Sequence, residues 1–181
     1  MNTYKLKFTR LQNEIFRLFC IKAGSSLNQR GIAKSLKVSP SAVGKALLLL
    51  EKEGLIKIEK GKNINLNHIE MNRDNYKTIF FKKLENLKII YELGLINFLE
   101  ESFPGTTIIL FGSFSRGEDT IKSDIDISII GAKEKDINLE EFNKILERKI
   151  NVNFYDSLKN IDKYLRNNIL NGIILVGVID I

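Results

Sequence analysis

Apolar residues near the start of the chain recur at helical spacing. Leu11, Ile15, Leu18 and Phe19 fall on one side of a helix over Arg10 to Ile21. Gly24-Ser25-Ser26 interrupts the pattern. Asn28 is placed to cap a short second helix, Gln29 to Leu36, that turns Ile32, Ala33 and Leu36 inward. Val38-Ser39-Pro40 then makes a tight turn, with Ser39 as N-cap and Pro40 at the first helical position, where its missing N–H costs nothing. A third helix runs to about Glu53 and stops at Gly54. There the period changes. LIKIEKGKNINLN alternates in two short runs around Lys60-Gly61-Lys62 and predicts a β-hairpin. HIEMNRDN is polar and reads as a linker. Asp74 or Asn75 then opens a long amphipathic stretch, Tyr76 to Ser102, with Gly94 as a break point and Pro104-Gly105 at its end. Thr106 to Phe111 reads as a buried strand, and Ile125, Ile127 and Ile129 alternate with Asp124, Asp126 and Ser128 in a second.

Three helices, a short turn and a hairpin resemble a winged helix-turn-helix over residues 9–67. The resemblance implies that the third helix enters the major groove of double-stranded DNA while the hairpin wing touches backbone. Ser41 and Lys45 then face bases or phosphates, Gln29 and Arg30 meet phosphate from the second helix, and Lys60 and Lys62 do so from the wing. The same topology also serves as a protein-interaction module. Leu47-Leu48-Leu49-Leu50 sends apolar side chains all round the third helix, and only part of them can face a three-helix core. The rest cover the hairpin, the linker, the C-terminal domain or the partner in a homodimer.

Charge sharpens this division. Residues 1–68 carry 13 Lys and Arg against 4 Asp and Glu, whereas residues 69–181 carry 15 against 18, so a basic module precedes a mildly acidic one. A phosphate-bearing polymer suits the first, and a solvated lysine surface accounts equally for its charge. We place the boundary at residue 70: 1–70 a DNA-binding winged helix, 71–181 a helical linker and a second domain. One cysteine, Cys20, excludes an internal disulfide framework, and one histidine, His68, leaves no histidine cluster for zinc. No apolar run is long enough to span a bilayer and the N-terminus lacks a secretion signal, so a cytoplasmic location is expected.

The second domain holds the chemistry. Side chains at i and i+2 of a strand share a face, so Asp124 and Asp126 stand side by side. Like charges this close repel unless a cation bridges them. A hard divalent ion, Mg²⁺ or Mn²⁺, is the simplest bridge, and it would bring triphosphate oxygens with it. Gly112 lets backbone approach a ligand closely, and Ser113 opens a short helix with N–H groups suited to phosphate. Ser115 and Arg116 add a hydroxyl and a cation just beyond. Taken singly, Gly-Ser is a common turn and alternating Asp-Ile suits a solvated edge strand. Both halves on successive strands point to a site.

Gly112-Ser113, ten residues, then Asp124-Ile125-Asp126 resembles the signature of the DNA polymerase beta-like nucleotidyltransferases, and GSFSRGEDTIKSDIDI resembles their minimal members, antitoxin types included. The resemblance covers about 82–178 and implies a helix over Asn138–Glu147, a strand over Lys149–Tyr155, a helix over Ser157–Leu170 and a short mixed sheet. The whole is thus an α+β chain, a winged helix joined to a small α/β nucleotidyltransferase core. It implies phosphate binding at Gly112 and Ser113 and metal at Asp124 and Asp126. The family's third carboxylate, metal ligand and base, falls at Asn151, with Asn153 two residues on and Asp156 at the strand's end. Asparagine offers a carbonyl oxygen but no charge and no proton acceptor.

Three functions follow from the resemblance: Mg²⁺-dependent transfer of a nucleoside monophosphate from an NTP to a hydroxyl, nucleotide sensing coupled to transcription, and an antitoxin-like role with autorepression. The acceptor is a protein or an RNA. A partner toxin would be a separate chain, since no arginine stands four to six residues before His68.

Overall fold

Thr9 opens the first helix with a capping box: its hydroxyl accepts from the Gln12 N–H, and the Gln12 side chain accepts from the Thr9 N–H. The structure, a computed structural model, describes residues 7–60 and 67–179, the side chain of Lys60 excepted. It divides into two compact units, Met1–Thr78 and Ile79–Ile181.

In the first unit α1 (Arg10–Ile21) buries Ile15, Phe16, Phe19 and Cys20. Asn28 caps α2 (Gln29–Leu36) and Ser39 caps α3 (Pro40–Lys52), each side chain accepting a backbone N–H of the first turn. Ile32, Val43, Leu47 and Leu50 supply the inner faces, all nearly inaccessible to solvent. Of the leucine quartet, Leu48 alone stands well exposed, at 67%. Strands β1 (Ile56–Lys60) and β2 (Asn67–Met71) pair antiparallel, from Ile56 opposite Met71 to Lys60 opposite Asn67, and Leu27 bridges to Ile69. This is a winged helix-turn-helix.

The return strand corrects the expected linker. HIEM continues the wing because its alternation persists: Ile69 and Met71 are buried while His68 faces solvent. The expected turn around Gly61 and Lys62 lies outside the described residues.

Helix α4 (Tyr76–Glu92) begins within the last residues of the first unit, and Leu93-Gly94 separates it from α5 (Leu95–Ser102). The second unit continues with β3 (Thr107–Phe111), α6 (Gly112–Arg116), β4 (Ile125–Ile130), α7 (Glu140–Leu146), β5 (Ile150–Tyr155), α8 (Lys163–Leu170) and β6 (Ile173–Val176). Its sheet runs β5-β4-β3-β6, with β3 antiparallel to both neighbours and β4 parallel to β5, the short mixed sheet expected. The helix expected over Ser157–Leu170 is two pieces. Ser157 caps a 3-10 turn at Leu158–Asn160 and Asp162 caps α8, so two competing caps split one helical pattern.

Both faces of the sheet are covered. Ile108, Leu110, Ile125, Ile127 and Ile129 are buried on one. On the other, Ile109 and Phe111 pack with Ile161 and Ile169, joined by Ile130, Tyr155 and Leu165. Asp126 lies on this second face, in register with Phe111, at the end where β3 gives way to α6.

Candidate functional site

The parallel pairing of β4 with β5 sets Asp126 directly opposite Asn151. The Asn151 amide Nδ2 donates to Asp124 Oδ2 at 3.1 Å and to Asp126 Oδ1 at 3.4 Å. One neutral side chain therefore bridges both carboxylates and offsets part of their repulsion. Asp124, just before β4, is exposed, and Asp126 is half-buried.

Gly112 makes this crowding possible. Its φ is +75°, in the left-handed region that favours glycine, and a Cβ there would meet Asp126 Oδ2 at 2.6 Å. The backbone turn at the end of β3 thus lies directly against the acid pair. Ser113 is half-buried at the start of α6, which no side chain caps. Ser115 is buried, and its hydroxyl donates to Gly112 O at 2.8 Å, closing the turn on itself. Arg116 is exposed. Its Nε donates to Glu118 at 2.8 Å and its Nη1 lies 3.4 Å from Asn168 Oδ1.

A buried polar cluster that the motifs do not announce fixes the segment between the turn and the acids. Asp119, fully buried, accepts from Lys82 and Arg148, and from Asn86 Nδ2 at 2.7 Å. Asn86 Nδ2 also donates to Phe114 O at 2.9 Å. One carboxylate so ties α4, α6 and the lead into β5, where Arg148 stands three residues before Asn151. Gly117 seats the same segment on α4, since a Cβ there would meet Ile79 O at 2.5 Å. In the sequence Lys82 and Asn86 stand at i, i+4 on α4, on a buried face they share with Thr78, Ile89 and Ile90.

Among the described residues no three His, Cys, Asp or Glu gather as a metal-binding group. The donors on hand are two carboxylates and an amide. They suit a hard cation by type, the amide contributing its oxygen once turned over.

In the first unit Arg30, Ser41 and Lys45 are exposed on α2 and α3. Gln29 is half-buried, and its Nε2 donates to Pro40 O at 2.6 Å, fastening the start of α2 to the start of α3. The Lys60 side chain and all of Lys62 lie outside the described residues. The Glu53 carboxyl after α3 is held down to about 2 by hydrogen bonds from Lys7 and Lys77, each at 2.6 Å. No helix among the described residues is long and apolar enough to cross a membrane.

The model of the nucleotidyltransferase domain family matches residues 92–176, a span that holds Gly112, Asp124, Asp126 and Asn151. Among solved structures, the chain is similar to a zinc-responsive MarR family member, ZitR from Lactococcus lactis (24% identity, 58% of this chain and 69% of that one, TM-score 0.42). It is similar also to ZitR in complex with DNA (24%, 57% and 67%, TM-score 0.42) and to the adhesin competence repressor AdcR from Streptococcus pyogenes (22%, 57% and 72%, TM-score 0.43). No curated protein matches the chain.

Proposed function

From the match of residues 92–176 to the nucleotidyltransferase domain family, which follows a winged helix-turn-helix in the chain, we propose that the chain binds a nucleoside triphosphate with Mg²⁺ or Mn²⁺ and transfers the nucleoside monophosphate slowly to a hydroxyl. The observation that carries this reading is the Asn151 amide lying against both Asp124 and Asp126.

Asp124 and Asp126 would hold the ion, with the Asn151 carbonyl oxygen as a neutral third donor. A divalent ion held there would neutralise phosphate charge and favour an in-line attack. Gly112, with no side chain, leaves the backbone open to the triphosphate beside Ser113. Arg116 adds positive charge at the far end of α6, shared with Glu118. Ser115 supports the turn through its bond to Gly112 O.

Asn151 cannot take the proton that the attacking hydroxyl must lose. Nothing in the family's usual third position draws it off, so it leaves to solvent, to the substrate or to a group of the acceptor. Binding then outlasts turnover. The same residue favours a second reading, in which the domain senses nucleotide and the winged helix adjusts transcription, with or without a separate toxin protein as partner. In either reading Arg30, Ser41 and Lys45 contact double-stranded DNA, and the exposed Leu48 is free to meet a second copy.

The test is label transfer. The full chain is incubated with each α-labelled NTP, Mg²⁺ and candidate acceptors (itself, tRNA, a cell lysate) beside an Asp124→Ala/Asp126→Ala control. Transfer that disappears in the control supports the enzyme, and binding without transfer supports the sensor. If the wild type neither binds nor transfers, the nucleotide reading is wrong.

A further inference from the structure

We propose that the free edge of β5 is a docking site for an extended polypeptide segment of a partner protein, which adds to the sheet as a fifth strand. The inference comes from the hydrogen-bond ladder and does not depend on nucleotidyl transfer. β5 is the outermost strand of its sheet among the described residues. Lys149 O accepts from Ile125 N, and Tyr155 O accepts from Gly131 N, so the odd-numbered residues turn their main-chain groups toward β4. By the two-residue period, Ile150, Val152 and Phe154 turn theirs outward. The Ile150 N–H confirms the direction, because it donates not to β4 but to the Asn143 side chain at 2.9 Å.

Beyond that cap, no main-chain hydrogen bond among the described residues engages the outward groups of Val152 and Phe154, and both residues are half-buried. A cavity of about 580 Å³ is lined by Val152 through Asp156 of this strand and by Ala132, Lys133 and Glu134. Its polar lining includes Asn153 and Tyr155. Folded proteins ordinarily cover or blunt such an edge, since unpaired N–H and C=O groups are a template for pairing.

The chemistry selects the occupant. Val152 and Phe154 each present one donor and one acceptor, repeating about every 7 Å, and only another extended polypeptide offers the matching alternation. A nucleic-acid backbone has acceptors but no regular donors. Lys133 and Glu134, both exposed, line the same cavity, and charged side chains beside an edge disfavour edge-to-edge pairing of two copies, which favours a peptide.

The test uses the full chain, ¹⁵N-labelled, and a nine-residue peptide selected on it from a random display library. In the free chain the Val152 and Phe154 amides should exchange rapidly with solvent while those of Asn153 and Tyr155 are protected. Saturation with peptide should slow Val152 and Phe154 at least tenfold. Val152→Pro removes an N–H that no internal bond uses, and it should weaken the peptide at least tenfold where Val152→Ala does not. Continued protection of Asn153 and Tyr155 shows that the proline variant is folded. The proposal is overturned if selection yields no peptide or if peptides bind the folded proline variant equally. Concentration-dependent protection of Val152 and Phe154 in the free chain overturns it as well, assigning the edge to a second copy.

Discussion

In the winged-helix unit the candidate contacts Arg30, Ser41 and Lys45 stand exposed on helices whose inner faces carry Ile32, Val43 and Leu47. In the second unit Asp126 and Asn151 lie half-buried within the sheet itself, bonded to each other and pressed against the turn at Gly112. The first arrangement separates function from folding: the helices would form with other side chains on their outer faces. The second couples them, because the acids need the glycine, the amide and the buried Asp119 cluster in order to sit where they do. Substitutions in the first unit should therefore act singly and additively, and those in the second should act on neighbours too.

The largest effect expected is on transfer. Asp124→Ala/Asp126→Ala should bring label transfer to background while leaving DNA affinity unchanged. Loss of both activities together would mean that the units do not act separately.

Next comes stability. Asp119→Ala removes the carboxylate that the buried Lys82 and Arg148 share, and taking away one partner of a buried pair costs about 3–5 kcal/mol. A urea titration followed by probes in each unit should show the loss in the second unit. A loss below about 1 kcal/mol would place water in the cluster and remove its role as an anchor.

Much of this contrast is legible in the sequence, for reasons specific to each element. Asn28 and Ser39-Pro40 mark helix starts with side-chain chemistry that acts locally, so α2 and α3 were legible to within a residue or so. The place of Asn151 opposite Asp126 comes from the parallel pairing of β4 with β5, which the alternation of a single strand does not carry. The wing's return strand was hidden because His68 and Glu70 dominate the composition of a segment whose Ile69 and Met71 do the packing. Asp119 was hidden because its partners Lys82 and Arg148 stand 37 and 29 residues away. Ser115 and Gln29 each donate to a main-chain carbonyl, Gly112 O and Pro40 O, contacts that residue type alone does not reveal.

A smaller effect is expected at the surface of α2 and α3 proposed to meet DNA. Arg30→Glu and Lys45→Glu should each weaken binding to operator fragments and lower the slope of log affinity against log salt by about 1 for each phosphate no longer neutralised. Unchanged binding in the pair of variants would show that the winged helix serves another partner.

The smallest effect concerns pH. Hydrogen bonds from Lys7 and Lys77 lower the Glu53 carboxyl from 4.5 to about 2 in the folded chain. A lowered folded value stabilises the first unit above the unfolded value. That contribution should fade as pH falls from about 4.5 toward 2. Thermal melts across this window should show a shallower decline for Glu53→Gln than for the wild type.

The measurement that bears most directly on the central claim is label transfer by Asn151→Asp. An aspartate there would restore both a third negative ligand and a proton acceptor beside Asp124 and Asp126. The expected result is nucleotide binding by the wild type with slow transfer, and a rise of at least tenfold in the variant, abolished again by Asp126→Ala. A folded Asn151→Asp chain that binds nucleotide yet transfers no faster would contradict the assignment of Asn151 to the third position.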